Sequence, residues 1–560
     1  MRRDLRRLDD TLYDLLVVGA GIYGACIARD AALRGLRVAL LERGDFGNAT
    51  SHNSFKLIHG GLRYLQHLDF RRVRESVAER RFWLQAAPHL IRPLKFVMPT
   101  RGHGTRGPEA LWLALRAHDA IGFARNRGLP PSHQTPSGRV IAKEECLRLI
   151  PGLAPDGLTG GAIWYDAQME DADRVLLECV LGAAEAGATV ANYVEIDSLT
   201  GTATDIAGVR ARDLLEGGEL EVRARVTVNA CGPWSGDLLR RAPRDLSDGR
   251  SLGLTKGMNL VTRKLVDGHA VAVFSRRLSD AAFGRGQRLY FITPWYDCSV
   301  IGTAHLPYEG DPERYSLSEG EVAAFLDEIN GACSGLRLTL DDVRDCYGGL
   351  TPAEGVQRGE VKRARRNVIV DHQRTDAMAG LVSVVGVKYT TARLVAERTL
   401  DLVFRKLGKT PPPCTARQAP LSRGCEDPEA ATRQINGALG SQVEQEGIEL
   451  LKRYGGAFAR VLQVGGGPER QKSLRDILNC CCLHSVREEM AVTLKDLVFL
   501  RTNLAARGRL PEGYLSCCAD LMQAELGWSM KRKRSELAAA QAHGAARFCA
   551  VGRSALLQSV

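Results

Sequence analysis

Between positions 14 and 42 the chain reads DLLVVGAGIYGACIARDAALRGLRVALLE. The apolar run at 15–18 predicts a buried parallel strand, and it leads directly into Gly19-Ala20-Gly21-Ile22-Tyr23-Gly24. A helical stretch (25–34), Gly35, a second apolar run (38–41) and the acid Glu42 complete a βαβ unit. In such a unit the first glycine permits the tight turn, the second lets backbone N–H groups approach a pyrophosphate, and the third lets helix and strand pack closely. The helix N-terminus offers unpaired donors and the positive end of its dipole to phosphates. Glu42 can accept hydrogen bonds from ribose hydroxyls and would repel a 2′-phosphate. A dinucleotide site is predicted; the fingerprint alone leaves FAD and NAD both open.

With 560 residues there is room for two or three domains with sizeable cores. No apolar run reaches the 18 or more residues that read as a transmembrane helix. The first ten residues, MRRDLRRLDD, are charged throughout, and the first apolar run after them is the nucleotide-binding strand, so no secretory signal is predicted. Fifteen cysteines, an odd number without a CxxC pair, fit a reduced, intracellular protein. Cys480-Cys481-Cys482 with His484 nearby lacks the spacing to converge on one ion, and no metal is expected. The net charge of +11 comes in patches, among them Arg2/Arg3/Arg6/Arg7, Arg71/Arg72/Arg74 and Lys531/Arg532/Lys533/Arg534. These read as solvated faces, or as surfaces favouring anionic lipid or an anionic substrate. No nucleic-acid motif accompanies them, and no nucleic-acid partner is expected.

Hydrophobic patterning divides the chain. Residues 12–95 hold the first part of the nucleotide domain. Residues 96–160 are rich in Arg, Pro and Gly around an apolar piece at 110–123 containing Trp112, Leu113 and Phe123. That piece suits a membrane interface equally with a core helix. Residues 160–245 return to the nucleotide domain, with a helix at 172–186, a strand at 189–196 and a strand at 222–228 leading into Asn229-Ala230-Cys231-Gly232-Pro233-Trp234. Residues 246–345 form a second, mixed domain, and 346–408 complete the first, with a strand at 381–385 and a helix at 392–407. A proline run at 411–413 marks a linker to a helical appendage at 415–545, where 493–496 resembles a capping box and Ser529 can cap the last helix.

Further segments suggest the chemistry. Residues 49–65 read ATSHNSFKLIHGGLRYL, with small hydroxyls, a lysine and a glycine pair suited to line a diphosphate and reach a flavin ring. Residues 386–393 read GVKYTTAR, and the helix beginning there can face the pyrimidine edge of a flavin. Together with VNACGPW (228–234), PWYDCSVIGT (294–303), Gly310-Asp311-Pro312, and REEMAVTLKDLVFLRT and CADLMQAELGW near the C-terminus, these segments resemble the FAD-dependent, respiratory glycerol-3-phosphate dehydrogenases over roughly 12–540. The resemblance implies an α/β fold: a glutathione-reductase-like FAD-binding Rossmann domain, a mixed α+β substrate-capping domain and a C-terminal helical domain. It implies FAD as cofactor, oxidation of sn-glycerol 3-phosphate to dihydroxyacetone phosphate with hydride transfer to flavin N5, and electrons passed to membrane quinone. Peripheral attachment at the cytoplasmic face of the membrane follows, and a homodimer is compatible with it. The same machinery acting on a related polyol or hydroxy substrate, an oxidase passing electrons to oxygen, and a flavin-binding sensor with little turnover are the competing readings.

Candidate cofactor contacts are Gly19, Gly21, Ile22, Tyr23 and Gly24 in the first turn and Glu42 and Arg43 after the second strand. Thr50, Ser51, Ser54, Lys56, Leu57, Gly60 and Gly61 follow, then Ala230, Gly232 and Trp234, then Lys388 and Thr390. Carried over by motif, Arg63 and Tyr64 face the substrate, Arg63 because its fork binds two oxygens at once. Lys388 sits near the flavin and helps hold charge. Arg365 stands where the family has a second phosphate-binding arginine. His59 is either an acid/base or a histidine packed under the flavin. Three departures stand out. The family's Lys-Gly-Ser-His is here Lys256-Gly257-Met258-Asn259, its Gly-Val-Arg-Pro is Gly349-Leu350-Thr351-Pro352, and its Gly-Thr-Thr-Asp is Gly302-Thr303-Ala304-His305. Asn259 cannot serve as a base at neutral pH. His305 stands in for the missing base or the missing cation, or the three changes mark a subgroup with another substrate.

Overall fold

The computed structural model describes the chain apart from residues 105–106, 151, 247–252, 279–286, 358–359, 365, 387, 422–427, 440–444, 503–504, 506–512 and 550–560. Arg365, and Val387 of the GVKYTTAR segment, lie outside the described residues.

The strand Leu12–Val18 is buried along its whole length after Leu12, and it sits at the centre of the first sheet. Val38–Leu41 pairs with it in parallel on one side and Glu219–Asn229 on the other. Thr189–Ala191 extends one flank and Leu381–Val385 the other, both parallel, and Val368–Asp371 closes an edge antiparallel. Helices Ile22–Leu33, Ala172–Glu185 and Ala392–Lys406 pack together over a core that includes Leu15, Ile27, Val180 and Leu400. Strands covered on both faces lack polar alternation, which is why these runs read as continuously apolar. The chain turns one way from Leu12–Val18 to Val38–Leu41 and the other way to Glu219–Asn229. The crevice at the carboxyl ends of these strands is therefore a topological switch point, where such sheets bind ligands.

The run at 189–196, expected as one strand, is two. Thr189–Ala191 belongs to the parallel sheet, whereas Val194–Gly201 pairs antiparallel with Ile206–Asp213. Between them Tyr193 has φ 57°, which turns the chain out of the first ladder.

The second sheet is mixed. Gly253–Arg263 lies between Val343–Gln357 and Cys298–Tyr308, and Gln287–Trp295 and His269–Leu278 follow outward. Ile91–Arg101 and Leu158–Met169, from earlier in the chain, extend the same sheet. The helix Glu319–Ala332, started by a capping box of Ser318 and Glu321, packs against it.

The helix Pro108–Ile121 has two faces. Leu115 and His118 point inward and are buried, while Trp112, Leu113 and the following Phe123 are 52%, 65% and 83% exposed. No helix among the described residues is long and apolar enough to cross a membrane.

The C-terminal helices, among them Leu474–Glu488, Tyr514–Leu526 and Met530–Cys549, surround their own core of Ile435, Leu451, Leu478, Cys481 and Met522. Thr493 caps as expected by accepting from the Asp496 N–H at 3.2 Å, but the helix it starts, Leu494–Asp496, passes at once into a π turn, Leu497–Arg501. Ser529 accepts from the Arg532 N–H at 3.2 Å. Buried charge pairs join these helices to the first domain: Arg174–Glu489 at 2.5 Å, Arg501–Asp45 at 2.7 Å, and Arg453 with Asp171. Each member is fully desolvated, so removing one partner leaves a buried charge uncompensated.

Candidate functional site

A cavity of about 800 Å³ opens at the switch point. At one end is the N-terminus of Ile22–Leu33, at the other the segment 59–64 with Lys388, and the second sheet forms a wall through Asn259, Thr303, His305 and Thr351.

The first turn is built to bring backbone close. Gly19 has φ +96°, and a Cβ there would lie 2.8 Å from the Ala230 carbonyl oxygen. A Cβ on Gly24 would lie 1.8 Å from the Gly19 oxygen. Gly21, Ile22 and Tyr23 line the cavity, and the Ile22 N–H donates to Ser51 Oγ at 3.0 Å. Glu42 stands behind the lining and accepts from the N–H groups of Ala20 at 2.8 Å and Gly44 at 3.0 Å. Burial pushes its carboxyl up, against those two donors. Arg43 and Trp234 are also outside the lining: the guanidinium lies 4.6 Å over the indole ring and pairs with Glu313 at 2.5 Å.

Along the middle, Thr50, Ser51, Ser54, Lys56, Leu57, Gly61, Ala230 and Gly232 line the cavity. Thr50 Oγ1 donates to the Leu350 carbonyl at 2.7 Å. Lys56, at φ 59°, is buried with its Nζ 4.9 Å from the Tyr347 ring and 5.1 Å from the Trp295 ring, and burial lowers its pKa. Gly60 is behind the lining, where its N–H donates to Asp166 and a Cβ would strike Arg80.

The far end is cationic. Arg63, Tyr64, His59, Lys388 and Thr390 all line it. Lys388 Nζ sits 4.2 Å from the Tyr64 ring centroid. Burial, and then the charge of Arg63, bring its pKa down to about 8. Among the described residues, five cations line the cavity (Lys56, Arg63, Arg72, Arg288, Lys388) against one carboxylate, Asp166. Such a place suits an anionic group. Asn259 is committed elsewhere: its amide donates to the Asn53 carbonyl at 3.2 Å and accepts from Thr303 Oγ1 at 2.8 Å. His305 and Thr351 stand on the strands flanking Gly253–Arg263, opposite Gly257 and Thr255.

Asp166, Arg288 and His67 line the cavity without having been picked out from sequence, and Arg72 joins them from the basic patch at 71–74. Asp166 sits in the stretch Tyr165-Asp166-Ala167-Gln168, whose only sequence signal is an acid inside an apolar strand, Leu158–Met169. The residues present fit FAD. The glycine turn and helix N-terminus suit its diphosphate, and the cavity is lined by residues of both sheets. Ser54 Oγ and Trp234 Nε1 are buried polar atoms without a hydrogen-bond partner among the described residues.

Residues 14–399 match the FAD dependent oxidoreductase family, and 414–533 match the C-terminal domain of alpha-glycerophosphate oxidase. The chain is 33% identical over 520 residues to a glycerol-3-phosphate dehydrogenase of Synechocystis, covering 90% of this chain and 91% of that one. It is 31% identical over 555 residues to the mitochondrial glycerol-3-phosphate dehydrogenase of Mus musculus, covering 94% of this chain and 72% of that one. The glycerol-3-phosphate dehydrogenase of Bacillus halodurans, solved with FAD, superimposes with a TM-score of 0.75 at 26% identity, covering 97% of this chain and 96% of that one. The chain belongs to the FAD-dependent glycerol-3-phosphate dehydrogenase family.

Proposed function

We propose that this protein oxidises sn-glycerol 3-phosphate to dihydroxyacetone phosphate and passes the electrons to a membrane quinone. The observation that carries the reading is the Arg63–Lys388 pair at the end of a cavity that otherwise fits FAD. Two neighbouring cations, with no carboxylate partner on Lys388 among the described residues, match a phosphate dianion. FAD, when bound, would supply the two-electron acceptor for the hydride of the substrate C2. The protein's own part is to seat and orient. Arg63 and Lys388 hold charged oxygens, Tyr64 packs beneath the Lys388 ammonium, and the walls of Phe291 and Trp164 exclude water. His59, half-exposed in the lining, is the candidate proton acceptor for the substrate hydroxyl. Arg365 keeps its assignment as a second phosphate contact from the motif alone.

The exposed Trp112, Leu113 and Phe123 support peripheral attachment to the cytoplasmic face of the membrane. Their helix packs against the 3-10 turn Leu62–His67 of the cavity wall, which brings a lipid-soluble acceptor close to the site. Thr351, in place of a cationic side chain, favours a second reading, a related polyol or hydroxy substrate. Anaerobic addition of glycerol 3-phosphate to the purified yellow protein separates the two. Prompt loss of flavin absorbance is expected. Bleaching only by unphosphorylated polyols would replace the first reading with the second.

A further inference from the structure

We propose that Asp166 is a positioning residue that turns His59 into the proton acceptor of this reaction. The inference rests on the reading of the site as an alcohol-oxidising one.

His59 is seated against the lining carboxylate: its Nδ1 lies 3.5 Å from Asp166 Oδ2. With the Nδ1 proton facing the carboxylate, the lone pair is on Nε2, and the ring, 46% exposed, stands in the cavity wall. The backbone is held as well, because the His59 N–H donates to Thr390 Oγ1 at 3.0 Å, two residues from Lys388. Asp166 is itself immobilised. Arg80 donates to Oδ1 at 2.9 Å, the Gly60 N–H donates to the same oxygen, and Trp164 Nε1 donates to Oδ2 at 3.4 Å. Burial pushes this carboxyl up, but His59, Arg80 and the Gly60 N–H outweigh it and hold it below the usual range. It is therefore a fixed anion. As the C2–H electron pair leaves for the flavin, the hydroxyl proton passes to Nε2 and the C2=O bond forms. Asp166 stays ionised and balances the imidazolium, as the buried acid does in a serine-protease triad.

Three variants and one spectrum test this. Asp166→Asn should slow anaerobic flavin bleaching by glycerol 3-phosphate about 100-fold, with FAD content and melting midpoint checked in parallel. His59→Gln should do the same. The double variant should be no slower than His59→Gln, because the two act as one unit. Nitrogen NMR of 15N-histidine-labelled holoenzyme, with His59 assigned by its loss in His59→Gln, should show the Nδ1–H tautomer in the wild type and a mixture in Asp166→Asn. Wild-type bleaching rates in Asp166→Asn, or effects that multiply in the double variant, would overturn the proposal. So would an Nε2–H tautomer in the wild type, which decides the matter even if Asp166→Asn does not fold. A wild type that glycerol 3-phosphate does not bleach would instead sink the substrate reading, leaving the tautomer result to stand alone.

Discussion

The hydroxyl of Tyr23 brackets the backbone of Lys388, donating to its carbonyl oxygen at 2.6 Å and accepting from its N–H at 3.1 Å. Tyr23 lies in the first turn of Ile22–Leu33, so that helix also fixes the backbone of a lysine that lines the same cavity. The Tyr23 ring occupies the space beside Gly386, where an added Cβ would come within 1.9 Å of it. Tyr23→Phe removes both of these hydrogen bonds and should lower kcat/KM for glycerol 3-phosphate by at least about tenfold, while FAD stays bound. Gly386→Ala should lose FAD or fail to fold, and absorbance at the flavin band in purified protein distinguishes the two variants.

Arg63→Ala and Lys388→Met each remove one cation from the proposed phosphate end. Losing a charged hydrogen-bond partner costs about 1.5–3 kcal/mol, so KM should rise roughly ten- to hundredfold. The flavin spectrum should be retained in both; its loss would mean that these residues hold the cofactor rather than the substrate.

Lys388 gives this binding a pH limit. Its pKa is brought down to about 8 by burial and by Arg63, so the ammonium is charged below that pH and neutral above it. Attraction for phosphate is present at pH 7 and fades as pH rises through about 8. KM for glycerol 3-phosphate should climb across that range in the wild type, and this limb should be missing in Lys388→Met. Steady-state kinetics between about pH 6.5 and 9.5, buffered at constant ionic strength, would show it.

Trp112, Leu113 and Phe123 form an apolar outer surface on a helix whose inner face is fixed by Leu115 and His118. Burying side chains of this size in the interface is worth about 1.5–3 kcal/mol each. The triple variant Trp112→Glu/Leu113→Glu/Phe123→Glu should lose at least tenfold in affinity for liposomes in a flotation assay, with anaerobic flavin bleaching unchanged. Equal flotation would remove the membrane assignment for this helix.

Asp496 is buried at the join between the first domain and the C-terminal helices. Burial, and then the nearby charge of Asp45, push its carboxyl up to about 7. Between the ordinary carboxylate range and pH 7 the folded protein holds a proton that the unfolded chain releases, so this group's contribution to stability falls as pH rises through that window. Asp496→Asn, which keeps an acceptor for Tyr193 and Thr493, should melt a few degrees higher than wild type at pH 8 and at the same temperature near pH 4. A calorimetric scan at the two pH values checks the sign.

The first βαβ unit was legible because its constraints are local: three glycines, two apolar runs and an acid within thirty residues act through turn geometry and close packing. The strand at 381–385 and the helix expected at 392–407, observed as Ala392–Lys406, were legible from their own local apolar patterning. The run at 189–196, TVANYVEI, was not, since it holds no glycine or proline to mark a break and only the positive φ at Tyr193 divides it between two ladders. Asp166 was hidden differently. Its partners, Gly60, Arg80 and His59, come from about a hundred residues away, and a lone acid in an apolar strand carries no pattern. Nor could sequence separate the two readings of 110–123, because the helix is buried on one face and exposed on the other.

The parallel sheet takes its six main-path strands from chain segments as far apart as Leu12–Val18 and Leu381–Val385, and Lys388 follows the last parallel one. A chain still being synthesised has the phosphate-cradling turn at once but lacks the opposite wall of the pocket until more than two thirds of it has emerged. Non-local pairing of this kind delays ordering until its most distant member arrives. Flavin loading therefore has to wait for the segment around Leu381–Lys388, and a nonsense mutation upstream of Leu381 should give a colourless product, not a weakened enzyme.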